Sequence, residues 1–138
     1  MPSENVERIR EAAAAYGRGD VEPLVALLDQ DVDWRGPTRG HLWWRHTPSC
    51  HGPEQARANF ERRLKTSSPR TGSAAIELDD IRESGDRIML GSSWQGEEGR
   101  PAERFFQVVT MRDGKIVDIK GCKSHKEALR RLAKPTRG

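Results

Sequence analysis

The chain has 138 residues, of which 33% are charged and 34% hydrophobic, and its formal net charge at pH 7 is +3. This size predicts one domain with a single core over residues 1–138. No apolar run approaches the roughly 20 residues of a membrane-spanning helix, and the N-terminus shows no secretory signal, so we expect a cytoplasmic protein without membrane contact. In that compartment the two cysteines are expected to be thiols.

Helices dominate the N-terminal part of the chain. Ser3 is a suitable N-cap for a helix over residues 4–17, whose apolar side chains recur at helical spacing. A shorter helix is predicted over 21–28, with a proline in its first turn. A third helix is predicted over 53–64, because a proline at its first position is followed by an apolar stripe that includes Phe60.

One short strand is predicted between the second and third helices. Residues 31–35 alternate apolar and polar, which places Val32 and Trp34 on one face and Asp33 and Arg35 on the other. The favoured interpretation has Val32 and Trp34 pointing inward and the two charges forming a surface ion pair. In the alternative, the charged face lines a cavity.

Residues 74–122 are predicted to form antiparallel strands, ending in a hairpin around the turn Asp113-Gly114. Regular pairing from this turn joins Arg112 to Lys115, Met111 to Ile116, Val108 to Ile119 and Phe106 to Gly121. It assigns to the core the face that carries Phe106, Val108, Thr110, Val117, Ile119 and Gly121. The opposite face would form a homodimer contact through Phe105, Gln107, Val109, Met111 and Ile116, because a monomer rarely exposes so much apolar surface.

A last helix is predicted over about 124–134, because Ser124 and Glu127 form a capping box. Its basic residues could suggest nucleic-acid binding. No aromatic stacking motif accompanies them and cations suit a helix C-terminus, so the solvated face is favoured. The basic residues are Lys126, Arg130, Arg131 and Lys134.

Three segments together resemble the SnoaL-like branch of the nuclear transport factor 2-like superfamily. They are Gly19-Asp20 followed by 27–34, Gly52-Pro53-Glu54-Gln55-Ala56, and residues 109–117. The resemblance spans about 4–122. It implies an α+β cone in which N-terminal helices pack on a curved antiparallel sheet, to which this chain adds its C-terminal helix.

The resemblance implies a small-molecule pocket but does not select a reaction, because the superfamily contains isomerases, cyclases, hydrolases and non-catalytic members. The three acidic or phenolic positions of a ketosteroid isomerase site fall here near Ala12, Arg35 and Phe105 or Phe106, so all three groups are missing and classical ketosteroid isomerisation is not expected. We therefore expect either proton-transfer or water-addition chemistry on an apolar substrate, or a non-catalytic module for ligand binding or dimerisation.

The candidate catalytic residues are Asp33, His46 and His51, since an imidazole exchanges protons near neutral pH and a carboxylate can orient it. A cavity between the first and third helices and the sheet would bind an apolar ligand, and Arg35 would meet a negative charge. The segment with Trp43 and Trp44 would close the cavity as a lid or simply cap it. The candidate ligand-binding residues are Trp34, Arg35, Trp43, Trp44, Phe60, Trp94, Phe106 and Val108.

Residues 41–51 hold three histidines and Cys50, which are potential zinc ligands. They lack a CxxC or helical HxxxH spacing, and Cys50 and His51 are adjacent, so their side chains diverge in an extended chain. No metal and no other cofactor is therefore expected.

Overall fold

A computed structural model describes residues 3–35, 49–67, 76–94, 103–122 and 124–133; the side chains of 63–67, 76, 77, 94 and 103–105 are not described. These described residues form four helices and six strands. In order they are α1 (Glu4–Gly17), α2 (Glu22–Ala26), β1 (Leu28–Arg35), β2 (Cys50–His51), α3 (Pro53–Ser67), β3 (Ile76–Ser84), β4 (Arg87–Trp94), β5 (Glu103–Arg112), β6 (Lys115–Cys122) and α4 (His125–Ala133).

The six strands form one curved, open sheet in the order β2-β1-β6-β5-β4-β3. All neighbours pair antiparallel except β1 and β6, which run parallel. The predicted α+β class is confirmed. The sequence alone did not reveal β2 or the parallel pair, since both depend on contacts between residues distant in the chain.

Two predicted helix caps are present. The Ser3 hydroxyl accepts a hydrogen bond from the Val6 N–H at 3.2 Å, and the Ser124 hydroxyl accepts one from the Glu127 N–H at 3.1 Å. Each satisfies one of the amide groups that a helix start leaves unpaired. None of the helices in the described part of the chain is long and apolar enough to cross a membrane.

The hairpin of β5 and β6 turns at Asp113 and Gly114, whose φ angles of 53° and 76° suit a two-residue turn. Met111 pairs with Ile116 as predicted, but Thr110 pairs with Asp118, so Val117 is an extra residue in β6. This β-bulge lets Ile116 and Ile119 point to the same side of the sheet although they are three residues apart.

The bulge overturns the predicted faces of the hairpin. Val109 pairs with Ile119, and both belong to the core under α1, α2 and α3, together with Met111 and Ile116. The surface predicted to form a homodimer is therefore largely buried inside the chain. Homodimerisation itself stays a prediction.

The other side of the sheet, here called the outer face, carries a second apolar cluster beneath α4. Phe106 and Val108, predicted for the main core, lie in this cluster, and the Phe106 ring lies 5.2 Å from the His125 ring between centroids. Helix α4 thus has its docking partner on the sheet. The buried members are Met89, Phe106, Val108, Cys122, Ala128 and Leu132.

Candidate functional site

A cavity of about 100 Å³ lies between the sheet and the helices α1, α2 and α3. Its walls come from alternate residues of the strands and from one face of α1, as the two periodicities require. The lining side chains are predominantly apolar. They are Ile9, Ala13, Tyr16, Leu24, Leu28, Trp34, Phe60, Leu78, Leu90, Ser92, Gln107, Val109, Ile116 and Ile119.

Three aromatic rings form one wall of the cavity. The Phe60 ring stacks at a tilt on Trp34, with 4.8 Å between centroids, and meets the edge of Tyr16 at 5.6 Å. The Tyr16 hydroxyl donates a hydrogen bond to the Phe60 carbonyl oxygen at 3.3 Å. This contact fixes the end of α1 against α3, so the wall does not depend on packing alone.

Two uncharged polar side chains, Ser92 and Gln107, also line the cavity. They lie on the neighbouring strands β4 and β5 as diagonal neighbours, because Gln107 pairs with Leu90, two residues before Ser92. Ser92 is 7% exposed. Among the described residues we find no side-chain hydrogen bond for either of them.

The described lining contains no carboxylate, imidazole, ammonium or guanidinium group. Tyr16 has the only phenol of the chain, and it is engaged with Phe60. The described walls therefore offer hydrogen bonds and apolar contact, but no strong acid or base near neutral pH.

The structure places the predicted ligand-binding residues in different parts of the fold. Trp34 and Phe60 line the cavity. Phe106 and Val108 lie on the outer face because of the bulge in β6, so the prediction that they line it is corrected. Trp43 and Trp44 lie outside the described residues, as does the side chain of Trp94.

Asp33 and His51 lie together, as the candidate catalytic pair requires, with Nδ1 of His51 2.7 Å from Oδ1 of Asp33. The strands β1 and β2 pair these two residues directly. The side chains are 57% and 61% exposed, and they lie on the face of β1 opposite the buried Trp34. The hydrogen bond to Asp33 raises the pKa of His51 above its ordinary value. His46, the other candidate, lies outside the described residues.

Arg35 also lies on the outer face, and it pairs with Asp118 rather than with Asp33. Its guanidinium group is 3.0 Å from the Asp118 carboxylate, and Arg131 of α4 approaches the same carboxylate at 3.9 Å. Burial, and then the charges of Arg35 and Arg131, lower the pKa of Lys120 nearby. Arg35 is thus part of a charged surface group, away from the cavity.

The candidate zinc ligands are separated where they are described. Cys50 pairs with Trp34 and His51 with Asp33, so the neighbours point to opposite sides of the sheet. The Asn59 side-chain amide donates to Cys50 Sγ at 3.5 Å. No cluster of three metal-ligating side chains occurs within the described ranges, and neither cysteine is in a disulfide.

Several cavity residues escaped the sequence interpretation. Gln107 and Val109 were assigned to the wrong face, and Ser92 was not assigned to a site. Side chains alternate between the two faces of β4, so Leu90 and Ser92 share one face and Met89 and Ser93 share the other. This period-two pattern could have identified Leu90 and Ser92 as neighbours in the cavity.

The solved structures similar to this chain share its fold. A nuclear transport factor 2-like protein of unknown function from Burkholderia pseudomallei is 25% identical, with a TM-score of 0.69, over 96% of this chain and all of that one. TerC, crystallised with polyporic acid, is 22% identical with a TM-score of 0.68, over 94% of this chain and 98% of its own. A protein from Jannaschia sp. CCS1 assigned as a SnoaL-like polyketide cyclase is 14% identical with a TM-score of 0.63, over 99% of both chains.

No curated protein matches the chain significantly. The model of the SnoaL-like domain matches residues 9–119, which covers α1 through most of β6 and includes every described cavity residue. The order and spacing of the resembling sequence segments agree with this match. The chain belongs to the SnoaL-like domain family.

Proposed function

We propose that the chain binds a small, mainly apolar molecule in the cavity, and that the described residues act there by binding and not by acid–base chemistry. The observation that carries this proposal is the composition of the lining: aromatic and aliphatic side chains with the uncharged polar groups of Tyr16, Ser92 and Gln107, and no ionised group. Apolar cavities with a few placed polar groups are typical of small-molecule sites.

The size of the cavity limits the ligand. An engineered apolar cavity of roughly 150 Å³ accepts benzene. At about 100 Å³, the cavity suits a compound with a single ring, or one end of a longer molecule. TerC, a protein of the same fold, was co-crystallised with polyporic acid, which supports small-molecule binding as a use of this fold.

An acid–base enzyme acting on an apolar substrate is the second candidate. It requires a side chain that transfers a proton to or from the substrate. Its proton-transferring group must come from residues outside the described ranges, where the sequence offers the imidazoles of His41 and His46. Asp33 and His51 would have to serve a substrate on the outer face, where their side chains lie. The lining of the cavity favours binding over this alternative.

A titration with toluene, followed by amide NMR shifts, tests the proposal. Saturable shifts are expected at Leu90, Val109 and Ile119, which line the cavity. Ala13→Leu should abolish them, because Ala13 lines the cavity and a larger side chain fills it. Ala14→Leu is the matched control, since Ala14 is exposed on the same helix, and it should bind toluene like the wild type.

The proposal is wrong if neither toluene nor phenol, a ring of similar size with a hydroxyl group, produces saturable shifts in the wild type. It is also wrong if Ala13→Leu and Ala14→Leu bind toluene equally, because binding would then occur outside the cavity. Folding of both variants is checked by their thermal unfolding before the titration.

A further inference from the structure

One end of the cavity differs chemically from the other. Leu28 and Ile116, which pair between β1 and β6, line the end near the Asp113-Gly114 turn. Ser92 and Gln107 line the end toward which β4 and β6 run. A ligand held in this cavity would therefore meet an apolar surface at one end and hydrogen-bonding groups at the other.

From this asymmetry we propose that Ser92 and Gln107 select a ligand with an uncharged hydroxyl or carbonyl oxygen at one end. The inference rests on the proposed function and adds the class of ligand. A serine hydroxyl and a glutamine amide can each donate and accept, so together they satisfy either oxygen.

The surroundings of Ser92 and Gln107 explain why the oxygen is needed. Ser92 is buried, and Gly121, which pairs with Gln107, has no side chain to bond the amide from β6. An apolar ligand would displace water from these groups and leave them unsatisfied, which disfavours its binding. An oxygen in the same place restores the hydrogen bonds.

The same surroundings exclude a charged ligand group. The lysine and arginine side chains of the described sheet that form ion pairs, such as Arg35, lie on the outer face. The described lining contains no cation that could compensate a carboxylate. Burying an uncompensated anion costs more than its hydrogen bonds return.

The test compares phenol, toluene and benzoate by NMR titration of the full chain. Phenol and toluene have similar shapes, but phenol carries a hydroxyl where toluene carries a methyl group. Phenol is expected to bind about tenfold more tightly than toluene, which is the usual size of one net hydrogen bond. Benzoate should bind at least tenfold more weakly than phenol. Cyclohexanone against methylcyclohexane repeats the comparison for a carbonyl.

Ser92→Ala and Gln107→Met should each reduce the preference for phenol over toluene to less than about threefold, because each removes a polar group that bonds the phenol hydroxyl and that toluene leaves unsatisfied. Ser93→Ala is the matched control, because Ser93 bonds Asp79 outside the cavity lining, and it should keep the full preference. If Gln107→Met does not fold, Ser92→Ala decides the result.

Failure of this inference is distinct from failure of the proposed function. Equal binding of phenol and toluene, or a preference unchanged in Ser92→Ala, overturns the selection by Ser92 and Gln107 but leaves cavity binding intact. Benzoate binding more tightly than phenol also overturns it. If neither toluene nor phenol binds, the proposed function fails and this inference fails with it.

Discussion

The two faces of β1 differ in both burial and charge. On the cavity face, Val32 and Trp34 are each 1% exposed. On the outer face, the side chains of Asp33 and Arg35 are 57% and 47% exposed and bond other charged groups. At β1 the sheet thus separates the described walls of an uncharged cavity from a charged surface.

Replacement of Trp34 by alanine should have the largest effect on the free energy of unfolding. Trp34 is fully buried, contacts Phe60 and lines the cavity. Trp34→Ala is expected to lower the free energy of unfolding by about 3–5 kcal/mol. Urea unfolding followed by circular dichroism measures the loss.

Arg35→Ala is the control from the outer face of the same strand. Its ion pair with Asp118 is largely solvated, so the loss should be under about 1 kcal/mol. Equal losses in Trp34→Ala and Arg35→Ala would contradict the difference in burial between the two faces of β1.

Replacement of Leu132 tests whether α4 stabilises the fold from the outer face without contributing to the cavity. Leu132 is 8% exposed and packs in the outer cluster. Leu132→Ala should lower the free energy of unfolding by about 2–3 kcal/mol and leave toluene affinity unchanged. Lys126→Ala, on the exposed side of α4, should change neither. A fall in toluene affinity in folded Leu132→Ala would show that α4 shapes the cavity.

The hydrogen bond between Asp33 and His51 makes a smaller, pH-dependent contribution. Because the pKa of His51 is raised in the folded protein, the stabilisation is fully present below its ordinary value of 6.5 and is lost as the pH rises through the folded pKa. The difference in urea midpoint between wild type and Asp33→Asn should therefore be larger at pH 5.5 than at pH 9.

Asp31→Asn provides the comparison for that experiment. Asp31 lies 3.9 Å from Nε2 of His51 and raises the pKa of His51 less than Asp33 does. NMR titration of the His51 ring should give a lower pKa in Asp33→Asn than in Asp31→Asn. The reverse order would mean that the contact with Asp33 does not exist in solution.

Local patterns in the sequence were sufficient for the capped helices and the turn. Ser3, Ser124 and the pair Asp113-Gly114 act on residues within one turn of themselves, so their consequences can be predicted without the fold. The family resemblance then supplied the arrangement of helices on a curved sheet, which the structure confirms.

Residues beyond the bulge could not be assigned to a face from the sequence. Regular alternation from the turn places Val108 opposite Ile119, whereas the extra residue Val117 makes Val109 its partner. The position of a bulge depends on which side chains the helices bury, and that depends on the tertiary fold. The same register error placed Gln107 on the predicted homodimer face, so Gln107 was left out of the predicted cavity.

The bulge at Val117 also determines on which face of the sheet the charged residues of β6 lie. If β6 paired regularly from the turn, Asp118 would lie opposite Val109 and Lys120 opposite Gln107, and both charges would enter the cavity, while Ile119 would turn to the outer face. Such a register would bury two charged groups in an apolar site. Asp118 and Lys120 therefore favour the observed register of β6. Their charges lie on the outer face in this register and would be buried in the register shifted by one residue.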